Sequence, residues 1–281
     1  MNVPAPILTF LVCSALAGFR LTQSGAAAEI PGSGSKPLPA QADLRPEFDR
    51  LGLGQPRQQG KRPTCSVFTI TGALEFSAAR ASGQGKQLSV EYLNWAANQY
   101  RPAQDGGFFS AMWKGFSERG ICAESEMSYG ESFDAKRAPS SEAIDEGKSR
   151  RSLGLAHHWI KQWNPKTGVS DEQLLQIKRT LAAGWPVCGG FRWPSKAVWK
   201  DGVLQMCDAD KVYDGHSVLL VGYQDDSAQA GGGVFIFRDS DRRGGEGKMP
   251  YVYLQAYMND ALWIDAPPAA TAAATTDAAR Q

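Results

Sequence analysis

One cysteine and one histidine stand where thiol chemistry would require them. Cys65 opens a long, proline-free segment rich in small and apolar residues, which predicts a buried helix. A helix N-terminus favours a thiolate, which an ordinary cysteine with a pKa near ~8.5 rarely forms at neutral pH. His216 follows Gly215 and begins a strongly apolar segment, so a rigid strand would hold its imidazole at a cleft. The pair is typical of nucleophilic catalysis by a thiol that an imidazole deprotonates.

The other histidines do not predict a site. The chain has three histidines in all, and His157 and His158 are adjacent in a segment with strand character. Neighbouring strand residues point to opposite faces, so the two cannot easily share one metal ion. We therefore expect structural or surface roles for both, and neither a metal nor an organic cofactor. Cys65 and His216, each taken alone, would also fit a structural role.

The sequence around Cys65 and His216 resembles the papain-like cysteine peptidases. Residues 59–75 read QGKRPTCSVFTITGALE, similar to that family's Gln-Gly-x4-Cys-x-x-Phe-x3-Gly-x-Leu-Glu segment. Residues 215–223 read GHSVLLVGY and are close to its His-Ala-Val-x-x-x-Gly-Tyr strand. About 150 residues separate Cys65 from His216, as in papain-type enzymes.

Three further segments resemble the family in the same order along the chain. Residues 88–93 resemble the start of the family's second helix. Residues 105–109 resemble its Gly-Gly segment, and the pair 120–121 resembles the Gly-Ile that follows it. Residues 184–187 resemble its Gly-x-Pro-Val segment. The resemblance extends from about Leu44 to about Asp265. Several ordered motifs are more specific than any one of them.

The resemblance implies a role for each matching residue. Cys65 would attack the substrate carbonyl, and His216 would take and return the proton. Gln59 and the backbone N–H of Cys65 would bind the developing oxyanion. The resemblance also implies four substrate-binding residues, Gly106, Gly107, Gly190 and Gly215. Gly106 and Gly107 would hold the substrate backbone. Gly190 lacks a side chain, which predicts a roomy pocket floor.

The sequence departs from the family pattern at two places. The usual Cys-Gly-Ser-Cys-Trp is replaced by Arg62-Pro-Thr-Cys65-Ser66, without the first cysteine and the tryptophan. The family's Asn-Ser-Trp aligns with Asp239-Ser-Asp241, so a carboxylate would orient His216 in a Cys-His-Asp arrangement. Loss of that second tryptophan predicts that water reaches the His216–Asp239 hydrogen bond.

The elements that must position these residues change character along the chain. Helical patterns come first and strands later, which favours an α+β class. The resemblance implies a two-lobed papain-like fold, with a helical lobe at about 44–150, an antiparallel β-rich lobe at about 151–265, and the active-site cleft between them. The predicted helices are 64–81, 89–100, 108–119 and one opened by the capping box Ser170–Gln173, and the predicted strands are 154–160, 187–191, 217–223, 234–238 and 251–254.

The two ends of the chain differ from this globular region. Residues 7–19 form an apolar run that is too short to span a bilayer but suits a signal peptide, and Ala26-Ala-Ala28 offers a cleavage site. We expect a signal peptide at 1–28, a flexible leader at 29–43, a peptidase domain at 44–265 and a disordered tail at 266–281. Secretion or a periplasmic location would follow.

Composition and charge limit the partners. The 281 residues are 42% hydrophobic and 21% charged, which excludes a disordered chain, and the net charge is only +1. We therefore expect a monomer that acts on peptides or proteins and could also bind a protein inhibitor or partner, with no nucleic-acid binding and no stable membrane insertion. Among the cysteines outside the leader, Cys122, Cys188 and Cys207 could supply one disulfide, and Cys188–Cys207 is the favoured pair.

Two alternative functions remain open from the sequence. A papain-like protein that only binds peptides or a partner is favoured by the missing tryptophans and by the short leader, which leaves no room for a long inhibitory propeptide. Another thiol amidase or acyltransferase, such as a transglutaminase-like protein, could use the same Cys-His-Asp order. Gln59 and the Gly106–Gly107 pair favour the papain-like interpretation.

Overall fold

A computed structural model describes residues 37–151, 153–241 and 245–266 of the chain. The predicted signal peptide, residues 29–36 of the predicted leader and residues 267–281 of the predicted tail lie outside these residues. Within the predicted leader, Gln41–Asp43 form the first strand, β1, which pairs with residues 222–224. This strand lies just before the domain start predicted at residue 44, and its backbone adds to the sheet of the domain.

The N-terminal half of the described chain is helical. Its central helix, α2, is buried on several sides and ends at Gly83, whose φ of 81° suits a glycine. Ser89 caps α3 by accepting a hydrogen bond from the Tyr92 backbone N–H. The helices are α1 (Arg45–Arg50), α2 (Cys65–Ser82), α3 (Val90–Asn98), α4 (Phe109–Arg119) and α5 (Ser141–Arg151). The predictions for α2 to α4 are confirmed to within two residues, while α1 and α5 were not predicted.

The C-terminal half forms a largely antiparallel sheet. Among the described residues its strands follow the order β2-β9-β3-β6-β7-β8-β5-β4, with β1 also pairing with β6. The predicted capping box is confirmed at the start of α6 (Asp171–Ala182). The strands are β2 (Ala156–Lys161), β3 (Val187–Pro194), β4 (Trp199–Lys200), β5 (Val203–Leu204), β6 (Val212–Asp225), β7 (Gly233–Asp239), β8 (Gly245–Pro250) and β9 (Met258–Asp265).

One predicted strand of this lobe is wrong. Residues 251–254 belong to a helix, α7 (Tyr251–Tyr257), rather than to a strand. Aromatic residues favour strands, but here Tyr251, Leu254 and Tyr257 recur at three-residue steps and are all buried on one side of the helix. The unpredicted strand β9 follows at once and is buried for seven of its eight residues, so it lacks the alternation that marks a half-exposed strand.

The two halves meet where α2 packs on the sheet. Gly72 of α2 lies against Leu219 of β6, and a Cβ at Gly72 would be 3.2 Å from Leu219 Cδ2. Further along the helix, the Ser77 hydroxyl donates to the Ile264 carbonyl oxygen of β9 at 2.7 Å. A hydrophobic core with residues from both halves, including α2 and β6, fixes the position of the helix relative to the strand. This contact brings the start of α2 to the start of the apolar part of β6.

The described cysteines are unpaired. Cys65, Cys122, Cys188 and Cys207 are all free thiols, so the predicted Cys188–Cys207 disulfide is wrong. The Cys188 side chain is buried beneath α2 and donates to the Thr69 carbonyl oxygen at 3.7 Å, whereas Cys207 lies in the half-exposed segment before β6. The described part of the chain also contains no helix long and apolar enough to cross a membrane.

Candidate active site

Cys65 is the first residue of α2. The preceding residue, Thr64, makes no side-chain cap, and its hydroxyl is instead 2.6 Å from the Tyr129 hydroxyl. Cys65 is 8% exposed, and its Sγ lies 3.7 Å from the Gly215 carbonyl oxygen on the facing strand. The positive end of the helix dipole therefore lies at this sulfur, which is a favourable position for negative charge.

His216 faces Cys65 from β6. The two side chains line one cleft. On its other side, His216 Nε2 lies 3.0 Å from Oδ1 of Asp239, the last residue of β7. The same Oδ1 accepts a hydrogen bond from the Asp241 backbone N–H at 2.8 Å, which fixes the carboxylate. The structure thus brings together three residues predicted from the sequence.

The ionisation of His216 is controlled by these neighbours. Burial alone would lower the pKa of the imidazole, because it disfavours the charged form. The interactions of the imidazole with Asp239 and Cys65 outweigh burial and raise the pKa of His216 to about 10. These neighbours therefore favour the imidazolium form of His216.

The His216–Asp239 contact is shielded by a tryptophan that the sequence analysis missed. Trp193 of β3 packs edge-on against the His216 ring, with ring centroids 4.6 Å apart, and is itself 4% exposed. The side chains of His216 and Asp239 are only 9% and 14% exposed. Trp193 therefore covers one side of this contact, while Asp239 still borders a hollow that Trp193 and Asp241 also line. Trp193 carries no local sequence signal, because strand pairing alone brings it to His216.

Gln59 lies next to Ser240, the residue after Asp239, and hydrogen bonds fix its backbone and its side chain. Its backbone N–H donates to the Ser240 carbonyl oxygen at 2.7 Å, and the Ser240 hydroxyl donates to Gln59 Oε1 at 2.8 Å. Gln59 Nε2 donates to the Arg62 carbonyl oxygen at 3.0 Å. These bonds link the segment before Cys65 to the residue that follows Asp239.

The predicted Gly-Gly segment packs directly on the turn before Cys65. Gly106 has a φ of 63°, and a Cβ there would collide with the Pro63 carbonyl oxygen, so only glycine fits. Gly107 lines the cleft, and its backbone N–H donates to the Ser66 hydroxyl at 3.0 Å. Ser66 stands where the family has tryptophan, and its hydroxyl fixes the Gly107 peptide next to Cys65.

A buried ion-pair cluster holds these two segments together, and the sequence analysis did not find it. Arg62 donates to Glu91 of α3 at 2.6 Å and to the Asp105 carboxylate at 2.7 and 3.0 Å. It also donates to the Gly130 carbonyl oxygen and packs over the Tyr129 ring. The Arg62, Glu91 and Asp105 side chains are 4–8% exposed. Because the partners are far apart in sequence, no spacing pattern could have revealed the cluster.

Gly190 and Gly215 lie in the same cleft as Cys65. Gly215 has a φ of 109°, and no atom would contact a Cβ there within 4 Å, so the backbone at this point is open to the cleft. Gly190 differs, because a Cβ there would collide with Oδ1 of Asp260 on the neighbouring strand β9. The expected roomy floor is wrong, since the Asp260 carboxylate fills the space above Gly190.

The adjacent histidines occupy β2, as expected from the strand pattern. His157 packs against Trp113 with ring centroids 4.4 Å apart. His158 stacks on Trp263 at 4.3 Å and lies 3.1 Å from the Asp265 carboxylate. Their rings therefore contact separate groups, away from the Cys65 cleft.

Comparisons with known proteins agree with this architecture. A family model described as papain family cysteine protease matches residues 38–261. Xylellain, a cysteine protease from Xylella fastidiosa, superposes with a TM-score of 0.66 at 20% identity, over 83% of this chain and 88% of that chain. Digestive procathepsin L 3 of Tenebrio molitor larval midgut gives a TM-score of 0.60 at 19% identity, over 83% and 72%. These similarities confirm the predicted two-lobed α+β fold.

A curated viral protein is also similar in sequence. It is an uncharacterized peptidase C1-like protein of Acanthamoeba polyphaga mimivirus, 24% identical over 209 residues, which are 70% of this chain and 64% of that protein. The chain thus spans less than two thirds of the length of this relative.

Proposed function

Because the chain belongs to the papain family of cysteine proteases, we propose that it hydrolyses peptide bonds, with Cys65 as its nucleophile. His216 is the general base and acid of this proposal, and Asp239 orients His216. The observation that carries it is the 3.0 Å contact between His216 Nε2 and Asp239 Oδ1, together with the cleft that His216 and Cys65 both line. The three residues come from the start of α2, from β6 and from the end of β7.

The proposed reaction has two acyl-transfer steps. The Cys65 thiol proton passes to His216 before the attack, since the imidazolium form is favoured there, and the thiolate sulfur forms a bond to the substrate carbonyl carbon while the carbonyl electron pair moves to oxygen. Collapse of this tetrahedral intermediate breaks the C–N bond, and His216 protonates the leaving amine. Water then loses a proton to His216 and attacks the thioester, which releases the carboxylic acid product and restores the Cys65 thiolate beside the His216 imidazolium.

The oxyanion of each step requires hydrogen-bond donors. We assign this role to the Cys65 backbone N–H and to the Gln59 carboxamide. An amide nitrogen carries two N–H donors, and the Arg62 carbonyl oxygen takes one of those on Gln59 Nε2. The second is the donor that the proposal uses, and the Ser240 hydroxyl fixes the amide orientation from the oxygen side.

The proposed substrate is a peptide or protein that lies along the cleft. Gly106 and Gly107 would hold its backbone from the helical lobe, and Gly190 and Gly215 would border it on the β lobe. The Gly107 N–H already donates to Ser66, so a substrate carbonyl at this point would have to replace that bond. The need to break the Gly107–Ser66 hydrogen bond is the feature of the cleft that most favours the alternative function, a peptide-binding protein with weak or no activity.

We also propose that the protein is exported and acts as a monomer. Removal of residues 1–28 at Ala28 would leave a mature chain that begins with Glu29 and has no net charge, because the removed segment carries one arginine and no acidic residue. N-terminal sequencing of protein recovered from the culture medium or the periplasm tests this part. An intact Met1 terminus on the recovered protein would contradict it.

Labelling with a thiol-reactive peptidyl electrophile tests the catalytic proposal. The label should be found on Cys65 by mass spectrometry near pH ~6, since burial raises the pKa of Cys188 and of Cys207 and raises that of Cys122 to about 12. We expect His216→Ala to reduce the labelling rate by at least about 100-fold, the scale of general-base catalysis. Cys207→Ser, which removes the half-exposed thiol, is the matched control and should leave the labelling unchanged.

Digestion of a peptide library separates the possible outcomes. Peptide cleavage together with Cys65 labelling supports the proposed protease. Labelling that is equal in His216→Ala, or absent from folded wild-type protein, would overturn the catalytic mechanism and leave the binding alternative. Transfer of acyl groups to added amines without hydrolysis would instead indicate an acyltransferase.

A further inference from the structure

The turn that leads into Cys65 is held by a tyrosine that lies outside the proposed catalytic group. Tyr129 belongs to the loop between α4 and α5, and its ring packs edge-on against Phe68 of α2, with centroids 5.0 Å apart. Its hydroxyl donates to the Gln59 carbonyl oxygen at 3.0 Å and lies 2.6 Å from the Thr64 hydroxyl. Gln59 and Thr64 are the two ends of the turn. One phenol thus connects the backbone of Gln59 to the residue directly before the proposed nucleophile.

The direction of these two hydrogen bonds follows from a count of protons. A phenol has one proton, and the Gln59 carbonyl oxygen can only accept, so the Tyr129 proton is directed at Gln59. The Thr64 hydroxyl in turn donates to the Tyr129 oxygen. Burial raises the pKa of the Tyr129 phenol, which therefore keeps its proton. Thr64 is fully buried, so water does not compete for its hydroxyl.

The Thr64 side chain does not cap α2, although threonine is well suited to that position. Ser89 and Ser170 cap α3 and α6 in the usual way, with extended backbones whose ψ angles are 111° and 167°. Their hydroxyls accept from the backbone N–H three residues later. Thr64 has a ψ of only 16°, and its hydroxyl is bound to Tyr129 instead. The contact with Tyr129 therefore accompanies a backbone conformation that the two capping serines do not adopt.

The ψ angle of Thr64 decides where the Cys65 N–H points. Rotation about ψ turns the planar peptide unit that joins the two residues, and this unit contains the Cys65 N–H. With the ψ of either capping serine, the Cys65 N–H would be turned by more than a right angle from its present direction. This N–H is one of the two proposed oxyanion donors, and Gln59, which supplies the other, accepts the Tyr129 proton. Both donors are therefore tied to the same hydroxyl.

Tyr129 is itself fixed by its surroundings. Its backbone N–H donates to the Glu124 carboxylate at 2.7 Å, and the Arg62 guanidinium packs over its ring, 4.5 Å from the centroid. The carbonyl oxygen of the next residue, Gly130, accepts from Arg62 at 2.8 Å. Because Arg62 lies within the turn, residues 129–130 contact the turn in its middle as well as at its two ends.

From this arrangement we infer that Tyr129 is a positioning residue, whose hydroxyl sets the direction of both oxyanion donors through Thr64 and Gln59. It acts only through the turn and does not contact the substrate. Donors that are held in place before the reaction stabilise the developing charge without reorganising during it. The inference rests on the proposed function in that an oxyanion forms at Cys65.

The test separates the alignment of the oxyanion donors from the reactivity of the thiol. A short peptide aldehyde binds when the Cys65 sulfur adds to its carbonyl carbon, which places the aldehyde oxygen where the oxyanion would lie. Iodoacetamide alkylates Cys65 by loss of iodide, a reaction that needs the thiolate but no oxyanion donor. The readouts are the affinity for a set of short peptide aldehydes and the alkylation rate of Cys65, followed by mass spectrometry.

In Tyr129→Phe the two readouts should diverge. We expect peptide aldehydes to bind about 10–100-fold more weakly, less than the complete removal of an oxyanion donor would cause. The alkylation rate of Cys65 should stay within about twofold of the wild-type rate, because the thiolate is unchanged. For peptides that the wild type cleaves, kcat should fall by the same factor as the aldehyde affinity while KM stays the same, as expected when an interaction is lost only in the transition state.

Variants of Thr64 test the other end of the contact. Thr64→Ser keeps a hydroxyl and should retain most of the aldehyde affinity, whereas Thr64→Val keeps the shape without the hydroxyl and should weaken it. In the double variant Tyr129→Phe/Thr64→Val the two losses should not add, because both changes remove the same hydrogen bond. Tyr92→Phe is the matched control, since the Tyr92 hydroxyl donates to the Arg119 carbonyl oxygen in the same lobe, and it should leave both readouts unchanged.

Two results would overturn the inference. One is an aldehyde affinity in Tyr129→Phe equal to that of the wild type, and the other is a fall in the alkylation rate as large as the fall in affinity, which would indicate a general loss of the site. If Tyr129→Phe does not fold, the comparison of Thr64→Ser with Thr64→Val decides, and equal aldehyde affinities of these two variants reject the inference.

Failure of the proposed function would look different. Wild-type protein that binds aldehydes at Cys65 but cleaves no peptide would reject the protease, while the aldehyde affinities of the variants would still test Tyr129. Peptide cleavage with the same kcat in Tyr129→Phe as in the wild type would leave the protease proposal intact and reject only the role of Tyr129. Wild-type protein that binds no peptide aldehyde would contradict both.

Discussion

At the scale of single residues, the chemistry of the site depends on the charge that Asp239 places beside His216. A neutral amide at this position could keep the 3.0 Å contact but would supply no negative charge. Since Asp239 is among the groups that raise the pKa of His216 to about 10, its replacement by asparagine should lower that pKa. The imidazolium would then lose its proton at a lower pH.

The corresponding prediction concerns the alkaline side of the pH profile. In Asp239→Asn, the fall of kcat/KM at high pH should begin about 1–3 pH units earlier than in the wild type, the usual effect of one adjacent charge. Labelling of Cys65 as a function of pH should move in the same direction. Asp225→Asn is the control, because Asp225 pairs with Lys178 away from the cleft. An unchanged alkaline limb in Asp239→Asn would show that Asp239 does not set this ionisation.

The proposed catalytic residues could be predicted from the sequence, while the residues that pack around them could not. Cys65, His216 and Asp239 each follow a recognisable local pattern, and the structure brings them together. Trp193 shields His216 only because β3 pairs with β6, and Asp260 reaches the cleft only because β9 places it opposite Gly190. Such contacts are set by strand register, which the sequence of a single strand does not contain.

At the scale of elements, Arg62 connects the turn before α2 to α3 and to the Gly106–Gly107 segment. Its guanidinium forms ion pairs with both the Glu91 and the Asp105 carboxylate, and all three side chains are buried. Removal of one member of a buried ion-pair group leaves uncompensated charge, which typically costs about 3–5 kcal/mol. The same turn carries Cys65, so a change at Arg62 should disturb the nucleophile as well as the fold.

The prediction is that Arg62→Gln lowers the free energy of unfolding by about 3–5 kcal/mol, measured by urea denaturation. Arg50→Gln provides the control, because Arg50 pairs with Glu47 on the surface, where water and salt screen the ion pair, so its loss should leave the free energy of unfolding nearly unchanged. The surviving folded fraction of Arg62→Gln should also react more slowly at Cys65. Equal stability of the two variants would contradict a structural role for the cluster.

Some helices and strands could be predicted from the sequence and others could not. Helices α3 and α6 have serine caps whose side chains accept from the backbone three residues later, so their starts were visible in the sequence. The helix α7 was hidden because its aromatic residues have strand propensity, and tertiary packing overrode that local preference. The strand β9 was hidden because both of its faces are covered.

At the scale of the whole molecule, the site exists only where the two lobes pack together. Cys65 belongs to α2 and His216 to β6, and these elements pack together at Gly72, where a Cβ would be 3.2 Å from Leu219 Cδ2. Because α2 is a single helix, a side chain inserted at Gly72 would push the helix away from β6. The nucleophile and its base would then separate although neither residue had been changed.

Gly72→Val should therefore reduce kcat/KM and Cys65 labelling while the protein still folds. Insertion of extra methyl groups into a packed contact typically costs about 1–3 kcal/mol. Replacement of glycine by valine inside a helix does not lower helix propensity, so a loss of this size would come from the contact with Leu219. The double variant Gly72→Val/Leu219→Ala creates space opposite the new side chain and should recover part of the labelling rate lost in Gly72→Val. A double variant that labels no faster than Gly72→Val would show that the Gly72–Leu219 contact does not control the distance between Cys65 and His216.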